Sequence, residues 1–344
     1  MLLILEAIFD PSFLTHAHGF RPGKGCHTAL TEVKRTFFSV KWFIRGNISN
    51  CFDIFDHKLL LHLISKRIKD KGFIDLLHKA LKSDYMNQEQ IFSSDMGTPH
   101  GYNLSPILCN ILLHGLDEFM LDLQKDFEVQ DRNIDSRLHN DSSYKKLIYV
   151  RFADEFLLGI NGNRADCVMI KEKIGDFLLK NIKLNLNLDK TKIINAKDEA
   201  AHFLKTTIII NPLDNRPIRM APITKLVNIL TEKGLAKQGG KPTRSARYLH
   251  YETHQIVKHF KQIWLRLSTY YFFADNYSEL EKIHYILKYS CIFTLASKLK
   301  LKTAKKVFCK FGRNILIRDK ENNIIASFPE LPLAKPKILP EPLT

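Results

Sequence analysis

The stretch YVRFADEFLLG, residues 149–159, places two acidic residues, Asp154 and Glu155, between two short apolar runs. The runs 148–150 and 156–158 have the β-branched and aromatic content that is typical of strands. We therefore predict a tight β-hairpin that carries Asp154 at its tip. A carboxylate in that position suits Mg²⁺, which takes oxygen ligands from one or two carboxylates. The alternative interpretation is a surface hairpin with two solvated acids.

The charge of the chain is concentrated in its last third. The 344 residues carry a formal net charge of +16, from 52 Lys and Arg against 36 Asp and Glu. Residues 1–216 hold 29 basic and 27 acidic side chains, a net charge of +2, whereas residues 217–344 hold 23 and 9, a net charge of +14. So uneven a basic surface predicts a polyanionic partner, with nucleic acid first and an anionic membrane second.

Composition and cysteine spacing exclude several classes of protein. With 45% hydrophobic and 26% charged residues, the chain is typical of a globular protein of two domains, or of one domain with an appendage. The six cysteines form no CxxC pair, which favours a reducing compartment over a disulfide scaffold or a structural zinc site. No apolar run approaches the length that spans a bilayer. The opening MLLILEAIF is broken by Glu6 and lacks basic residues, so it predicts neither a signal peptide nor a transit peptide.

A glycine-rich loop precedes the first strongly periodic segment. Glycines and a proline keep residues 20–25 in a loop, and residues 28–38 then have helical spacing. Arg21 and Lys24 in this loop are candidate phosphate ligands, through their charge and the backbone N–H groups beside them. A plain loop–helix junction is the alternative.

Predicted strands and helices alternate around the hairpin. Residues 41–48 predict a buried strand, and residues 50–53 predict a turn. A helix is predicted at 56–69, for which Asp53 and Asp56 are candidate capping acids. Further along we predict a strand at 91–96, a helix from Ser105 with an apolar core face, an exposed insertion at 125–146, a helix at 164–179, and strand-like alternation around Lys190 and Lys192.

The last third is predicted to be mostly helical. A basic turn is expected at 241–247, with helices at 248–271, 280–300 and 303–311, the last closed by Gly312. The first of these helices ends in Tyr270 and Tyr271, for which core packing and base stacking are both open interpretations. The tail from Pro329 is rich in proline and is predicted to be extended.

Taken in order, these stretches resemble the reverse transcriptase and maturase proteins encoded by group II introns, most closely the organellar kind. HGFRPGKGCHTAL (18–30) is similar to the fingers motif of that family, and GNISNCFDIFDH (46–57) to its palm motif GDIKGCFDNIDH. GTPHGYNLSPILCNILLHGLD (97–117) resembles GTPQGGILSPILANIYLHELD, YVRFADEFLLG resembles YVRYADDFLIG, and NLDKTKI resembles the motif that follows. YYFFADN (270–276) and residues 285–314 resemble domain X, the RNA-binding thumb that assists splicing.

The resemblance implies an α+β fold: a right-hand polymerase palm with partial fingers, followed by a helical thumb, or domain X. It implies a reverse transcriptase-like fingers and palm domain at 1–215, domain X at 216–320 and a proline-rich tail at 321–344. LEAIFDPSF (5–13) resembles the segment just ahead of the fingers motif. The N-terminal fingers strands, and the cysteine-containing endonuclease domain of some relatives, are therefore expected to be missing.

The resemblance also implies a two-metal polymerase site. In the family, an Asp at the position of Asn47 and an Asp pair at the positions of Asp154 and Glu155 hold Mg²⁺ ions that stabilise the attacking and leaving oxygens. Asp154 is retained as the implied metal ligand and Glu155 is a longer carboxylate, but Asn47 offers only an uncharged amide. Two unit charges ~4 Å apart interact by about 4 kcal/mol at an effective dielectric constant near 20, and a divalent ion doubles this. We therefore expect weak metal binding and impaired polymerisation.

Further site residues follow from the same resemblance. The implied nucleotide pocket contains Phe52, which resembles the sugar-sensing gate, with His100, Gly101 and Tyr102. His100 and Tyr102 stand where the family has Gln and Gly, and Lys205 replaces the glycine of a primer-supporting turn. The predicted RNA-binding set is Arg21, Lys24, Lys190, Lys192, Tyr270, Tyr271, Lys298, Lys300, Lys302, Lys305, Lys306, Lys310 and Arg313.

Three functions compete on these observations. The favoured one is an RNA-binding, maturase-like protein that assists group II intron splicing and has impaired reverse transcriptase activity. The alternatives are an active RNA-dependent DNA polymerase that uses Mg²⁺, and a decaying remnant of such a reading frame. The expected partners are group II intron RNA and nuclear-encoded splicing factors, without a small-molecule cofactor or a membrane span. The resemblance and the lack of a presequence predict a mitochondrial location, ahead of the plastid.

Overall fold

The computed structural model of the chain describes residues 1–83, 85–87, 90–92, 96–98, 102–129 and 144–330. Its backbone contacts divide it into two compact units, unit 1 up to Ile218 and unit 2 from Arg219 onward. The predicted boundary, after residue 215, lies three residues earlier. Each unit is described by itself below.

Unit 1 combines helices with antiparallel strands, as the predicted α+β class requires. Its helices are α1 (Leu2–Phe9), α2 (Cys26–Thr36), α3 (Cys51–Ile54), α4 (His57–Ser65), α5 (Lys71–Leu81), α6 (Ser105–Val129) and α7 (Arg164–Phe177). Its strands are β1 (Trp42–Asn47), β2 (Tyr85–Asn87), β3 (Gln90–Phe92), β4 (Lys146–Phe152), β5 (Glu155–Asn161), β6 (Lys192–Asn195), β7 (Ala201–Phe203) and β8 (Thr206–Ile210), and β9 (Pro217–Met220) runs across the boundary at Ile218.

The main sheet of unit 1 has the strand order β4–β5–β1–β6, and all three pairings are antiparallel. Residues 147–150 of β4 and 156–161 of β5 are buried. Because consecutive residues of β4 and β5 are buried, both strands bury side chains on both faces, and their sequences are continuous apolar runs instead of an alternating pattern. Helices α2 and α6 contact β4, and α7 contacts β1, so the core lies between this sheet and the helices.

Aspartate caps determine where two helices of unit 1 begin. Asp56 and Asp70 each accept a hydrogen bond from the backbone N–H three residues further on, at 2.9 and 2.7 Å. Such a cap stabilises a helix by about 1 kcal/mol. Asp56 is therefore confirmed as a cap, whereas Asp53 lies inside α3, so residues 51–53 of the predicted turn at 50–53 are helical. The predicted helix at 56–69 ends at Ser65, and α5 follows as a separate helix.

Helix α6 is longer than the sequence suggested. It continues to Val129, beyond the predicted start of an exposed insertion at 125–146, because Leu123 and Phe127 are buried against the core. Residues 130–143 of that insertion lie outside the described residues. Strand β3 covers the start of the strand predicted at 91–96, whose central part is also outside them.

A buried ion pair joins α6 to the strand that leads into the hairpin. The Arg151 and Asp117 side chains are both 0% exposed, and the guanidinium Nε and Nη2 donate to the two carboxylate oxygens at 2.7 and 2.6 Å. Tyr149 donates its hydroxyl to the same carboxylate at 2.8 Å. Arg151 Nη1 donates to Asn110 Oδ1 at 3.1 Å and to the Ala153 carbonyl at 3.0 Å. Burial lowers the pKa of Arg151, but the charge of Asp117, the hydrogen bonds to it and the neighbouring Tyr149 and Cys109 together raise the pKa by more, so the guanidinium stays protonated.

The loop ahead of α2 packs directly on the hairpin. Asn110 Nδ2 donates to the Gly19 carbonyl at 2.8 Å. A Cβ atom on Gly19 would lie only 2.4 Å from the Ala153 nitrogen, so no larger residue fits there. The same α6 side chain that contacts Arg151 therefore also positions the loop.

Two histidines attach this loop to α2. His16 Nδ1 and His18 Nε2 bond the two carboxylate oxygens of Glu32 at 2.5 and 2.7 Å. Burial raises the pKa of Glu32, but the hydrogen bonds from the two histidines lower it by more, and the result is a pKa of about 2. Glu32 is therefore ionised under all but strongly acidic conditions.

Unit 2 is mostly helical, as predicted. Its helices are α8 (Ile223–Glu232), α9 (Thr253–Tyr270), α10 (Glu281–Lys298) and α11 (Ala304–Phe311), and its short strands are β10 (Ala236–Lys237), β11 (Lys241–Pro242), β12 (Ile317–Arg318) and β13 (Ile324–Ala326). The helix predicted from 248 begins later, at Thr253. Gly312 ends α11 as predicted: its φ is 70°, and its N–H donates to the Phe308 carbonyl at 2.8 Å.

Part of the predicted tail is packed within unit 2. Strands β12 and β13 pair, and Phe328 is 0% exposed. The segment 321–330 therefore belongs to the folded unit, and residues 331–344 lie outside the described residues. Within the described ranges, no helix combines the length and the apolar character needed to cross a membrane.

We expect Arg151→Met to lower the free energy of unfolding by about 3–5 kcal/mol, because Asp117 would stay buried without its cation. Urea unfolding followed by circular dichroism measures this. Arg45→Met is the matched control: Arg45 is half-buried and lies 3.6 Å from Glu155. An ion pair at such a site contributes under about 1 kcal/mol. Equal losses in the two variants would contradict the central role of the buried pair.

The pKa of Glu32 predicts a dependence of stability on pH. Its folded value of about 2 lies below the value of about 4.3 for an unfolded chain. The ionised carboxylate therefore stabilises the folded state above the unfolded value, and this stabilisation is lost as the pH falls through the folded value. As the pH is lowered from the unfolded value to the folded value, we expect the unfolding free energy of the wild type to fall more steeply than that of Glu32→Gln. Parallel slopes would show that Glu32 is not responsible.

Candidate functional site

The hairpin forms as predicted and carries Asp154 at its tip. β4 ends at Phe152 and β5 begins at its Cα partner Glu155, with two residues between them. Ala153 has a left-handed φ of 54°, which such a two-residue turn favours. The Ile48 N–H donates to the Asp154 carbonyl at 2.9 Å, so the tip is tied to the end of β1.

Strand β1 brings Asn47 to the same place. Asn47 is the Cα partner of Glu155 in the sheet and is 7% exposed. Its side-chain Nδ2 donates to Asp154 Oδ2 at 3.0 Å. Its backbone N–H donates to the Thr191 hydroxyl at 3.4 Å, and its carbonyl accepts from the Asn187 N–H at 2.8 Å. The three residues implied as the catalytic set therefore lie together.

The side chains of this site do not provide a set of ligands that fits a pair of metal ions. An Asp at position 47 would place two carboxylates ~3 Å apart, with a repulsion of roughly 5 kcal/mol at an effective dielectric constant of 20 that a cation would relieve. Asn47 removes that repulsion without a metal, because its amide donates to Asp154. Glu155 already has Arg45 as a cationic neighbour at 3.6 Å. In the described part of the chain, no three His, Cys, Asp or Glu side chains are grouped to hold a metal ion.

Two members of the predicted nucleotide pocket are described. Phe52 on α3 is half-buried, and its ring lies edge-on to Phe20 with the centroids 6.3 Å apart. Tyr102 is also half-buried, and burial raises the pKa of its hydroxyl. Phe20 is 52% exposed. The sequence did not predict its contact with Phe52, because an aromatic residue in a glycine-rich loop belongs to no periodic pattern that would place its side chain. His100 and Gly101 lie outside the described residues.

The turn between β7 and β8 has a backbone suited to glycine. Leu204 and Lys205 both have left-handed φ angles, of 48° and 56°. A side chain in that conformation costs about 1 kcal/mol. The backbone of Lys205 is therefore strained, at the position where the resemblance implies a glycine.

Arg21 and Lys24, the candidate phosphate ligands of the glycine-rich loop, make their contacts in the structure within that part of the chain. Arg21 donates to the Asp10 carboxylate at 2.6 Å and to the carbonyls of Leu14 and Ala17 at 2.7 and 3.0 Å, and its side chain is 8% exposed. The Lys24 ammonium donates to another carbonyl of the same loop. Burial, and then the charge of Arg21, lower the pKa of Lys24. Both side chains are used to fold the loop.

The predicted RNA-binding residues divide into structural and exposed ones. Tyr271 is 2% exposed, so the structure shows core packing for this ring, one of the two interpretations left open by the sequence. Tyr270 is half-buried and edge-on to it at 4.8 Å, and the Lys298 ammonium donates to the Leu249 carbonyl at 3.0 Å. The remaining predicted residues are exposed: Lys190, Lys192, Lys300, Lys302, Lys305, Lys306, Lys310 and Arg313.

Sequence reasoning also missed the Arg151–Asp117 pair beneath the hairpin. The signal was present, because Arg151 interrupts an apolar strand and Asp117 follows the apolar face of a predicted helix. A buried charge at such a position requires a partner. The pattern does not identify that partner, which lies 34 positions away in the sequence.

Comparison with known proteins matches both units. The family model described as reverse transcriptase (RNA-dependent DNA polymerase) matches residues 1–252, and that of type II intron maturase matches residues 214–338. A COX1/OXI3 intron 1 protein of Saccharomyces cerevisiae is 35% identical, over 96% of this chain and 46% of that protein. The group II intron-encoded protein LtrA of Lactococcus lactis subsp. cremoris is 30% identical, over 89% and 61%. The mitochondrial protein ymf11 of Marchantia polymorpha is 28% identical, over 91% and 54%.

The chain spans about half the length of the curated relatives it matches, 46% for the yeast protein. The reverse transcriptase match includes the hairpin and the whole main sheet, and it covers well over half of the chain. The maturase match covers the described helices of the basic unit. The chain therefore belongs to the family of group II intron-encoded reverse transcriptases and maturases.

Proposed function

We propose that the chain is an RNA-binding, maturase-like protein that assists the splicing of a group II intron. The observation that carries this proposal is the net charge of +14 on residues 217–344, with five exposed lysines on α11 and the loop before it. Contacts of Lys and Arg with phosphates supply a large share of the affinity of proteins for nucleic acids. The type II intron maturase match over residues 214–338 supports intron RNA as the polyanion.

The same proposal includes impaired reverse transcriptase activity. Asn47 contributes a hydrogen-bond donor where the resemblance implies a metal-binding carboxylate, so Asp154 is the main anionic ligand left for Mg²⁺. The alternative, an active RNA-dependent DNA polymerase, is supported by the position of Asp154 at the hairpin tip and by the family match over residues 1–252.

The proposed site of action is the mitochondrion, since relatives such as ymf11 of Marchantia polymorpha are mitochondrial proteins. Nuclear-encoded splicing factors are proposed as further partners, which would supply functions that the altered palm does not. Splicing efficiency of the host intron, measured with and without this reading frame, tests the proposal in the organelle. Equal efficiency in the two cases would refute it.

We expect reversal of charge at Lys302, Lys305 and Lys306 (each Lys→Glu) to weaken binding to structured group II intron RNA. Each lost phosphate contact should reduce the slope of log K against log salt concentration by about 0.7–0.9. Filter binding over a series of salt concentrations measures both the affinity and the slope.

The matched control reverses three exposed lysines of the nearly neutral unit 1: Lys66, Lys69 and Lys71. Both triple variants change the net charge by the same amount, so any difference between them reports the location of the binding surface. We expect the control to keep most of the wild-type affinity at moderate salt. The proposed surface would be wrong if both variants lost affinity equally.

We expect Asn47→Asp to increase primer extension on an RNA template with Mg²⁺, because it restores a metal-binding carboxylate beside Asp154. Extension by the wild type should be weak under the same conditions. Asn161→Asp is the control, since Asn161 is also 7% exposed and lies at the far end of β5. Rapid extension by the wild type that Asn47→Asp does not increase would favour the polymerase alternative.

A further inference from the structure

Helix α10 presents a file of aromatic side chains on its outer face. Tyr285, Tyr289 and Phe293 are spaced four residues apart, and their ring centroids are separated by 4.5 and 6.2 Å. Tyr285 is 49% exposed, and the other two rings are half-buried. At a rise of 1.5 Å per residue, each step along the file is about 6 Å. The three rings therefore form a continuous row along the helix.

The file lies on the side of α10 away from the core of unit 2. The opposite face of α10 carries the apolar side chains that face the core of unit 2, and Ile283, Leu287, Cys291 and Leu295 are each 0% exposed. On the outer face, Tyr289 meets Phe308 of α11 only edge to face, with centroids 6.2 Å apart. The file thus keeps part of its aromatic surface accessible.

Cations line a groove at the Phe293 end of the file. This groove, of about 550 Å³, is bordered by Phe293 together with Lys237, Lys241, Arg244 and Lys302, and its described lining contains no acidic side chain. Arg244 Nη1 donates to the Ser297 hydroxyl of α10 at 3.0 Å, which orients its guanidinium beside the helix. The groove therefore has the chemistry of a phosphate site.

Cations also lie at the Tyr285 end. Lys288 and Arg313 border a second groove with Tyr285 and Tyr289, of about 350 Å³, together with two carboxylates, Glu281 and Glu330. Burial, and the charge of Arg313, lower the pKa of Lys288, while Glu330 opposes this. The charge at this end is therefore mixed, and the Phe293 end is the stronger anion site.

We propose that the aromatic file and the cations at its Phe293 end form a binding track for a single-stranded segment of RNA. Bases stack on Tyr285, Tyr289 and Phe293, and the backbone phosphates contact Lys241, Arg244 and Lys302. We call this set the α10 track. The inference rests on the proposed RNA binding and adds that the segment recognised by this face is unpaired.

Two physical arguments favour a single strand over a duplex. In a duplex, the faces of the bases are stacked on one another, so exposed aromatic rings gain nothing from it. Unpaired bases stack on aromatic side chains with about 1–3 kcal/mol per base, while a basic groove follows the backbone. A file of rings that leads into a basic groove matches the second case.

The test compares a short fluorescein-labelled oligouridylate with an RNA duplex of the same length, by fluorescence anisotropy on the full chain. We expect Tyr285→Ala to bind the oligouridylate about tenfold more weakly, which corresponds to one lost stack, and to bind the duplex nearly as the wild type does. Tyr285→Phe keeps the ring and should recover most of the lost affinity. Tyr251→Ala is the control, because Tyr251 is 42% exposed in the same unit and borders neither groove.

A second variant tests the phosphate end. Arg244→Gln should reduce the salt dependence of oligouridylate binding by about one phosphate contact. Unchanged oligouridylate affinity in both Tyr285→Ala and Arg244→Gln, while the chain still binds intron RNA, would overturn the α10 track and leave the proposed function standing. A wild-type chain that binds neither intron RNA nor oligouridylate would overturn both.

Discussion

The ion pair between Arg151 and Asp117 is the contact on which the geometry of the palm depends. Both side chains lie wholly out of water, so neither can be replaced alone without leaving an unpaired charge in the core. The same guanidinium holds the Ala153 carbonyl, and Asn110 links this contact to the loop at Gly19. The hairpin tip is therefore positioned by contacts that do not involve a metal.

This independence explains how an amide is accommodated where the resemblance implies a carboxylate. Carboxylates at positions 47 and 154 would repel each other at hydrogen-bond distance unless a cation lay between them. Asn47 replaces that repulsion with a hydrogen bond of 3.0 Å to Asp154. In the absence of metal, the change removes an unfavourable interaction from the folded state. An amide at position 47 is thus compatible with the geometry of the hairpin and of β1.

The sequence predicted the parts of the site that are local. Two apolar runs around a pair of acids specify the hairpin and the place of Asp154, because strand period and turn length are short-range properties. The sequence did not predict contacts with residues far away along the chain, or contacts with backbone carbonyls, which every residue has. Arg21 donates to backbone carbonyls, which no sequence pattern distinguishes, and Asp117 lies 34 positions from Arg151. Tyr271, which follows the last residue of α9, is buried because of how that helix packs, and the sequence does not show this packing.

The two units differ in how their charged side chains are paired, and this difference links the stability of unit 2 to the proposed binding of RNA. In unit 1, the charges at the site are paired within the chain, as Arg151 is with Asp117 and Arg45 with Glu155. Residues 217–344 carry 23 basic against 9 acidic side chains, so most of their cations have no acidic counterpart available. Repulsion among them destabilises the compact state. A bound polyanion neutralises that repulsion, and a ligand that binds only the folded state stabilises it. The basic side chains that repel one another in unit 2 are therefore the ones that the proposed binding of RNA would use.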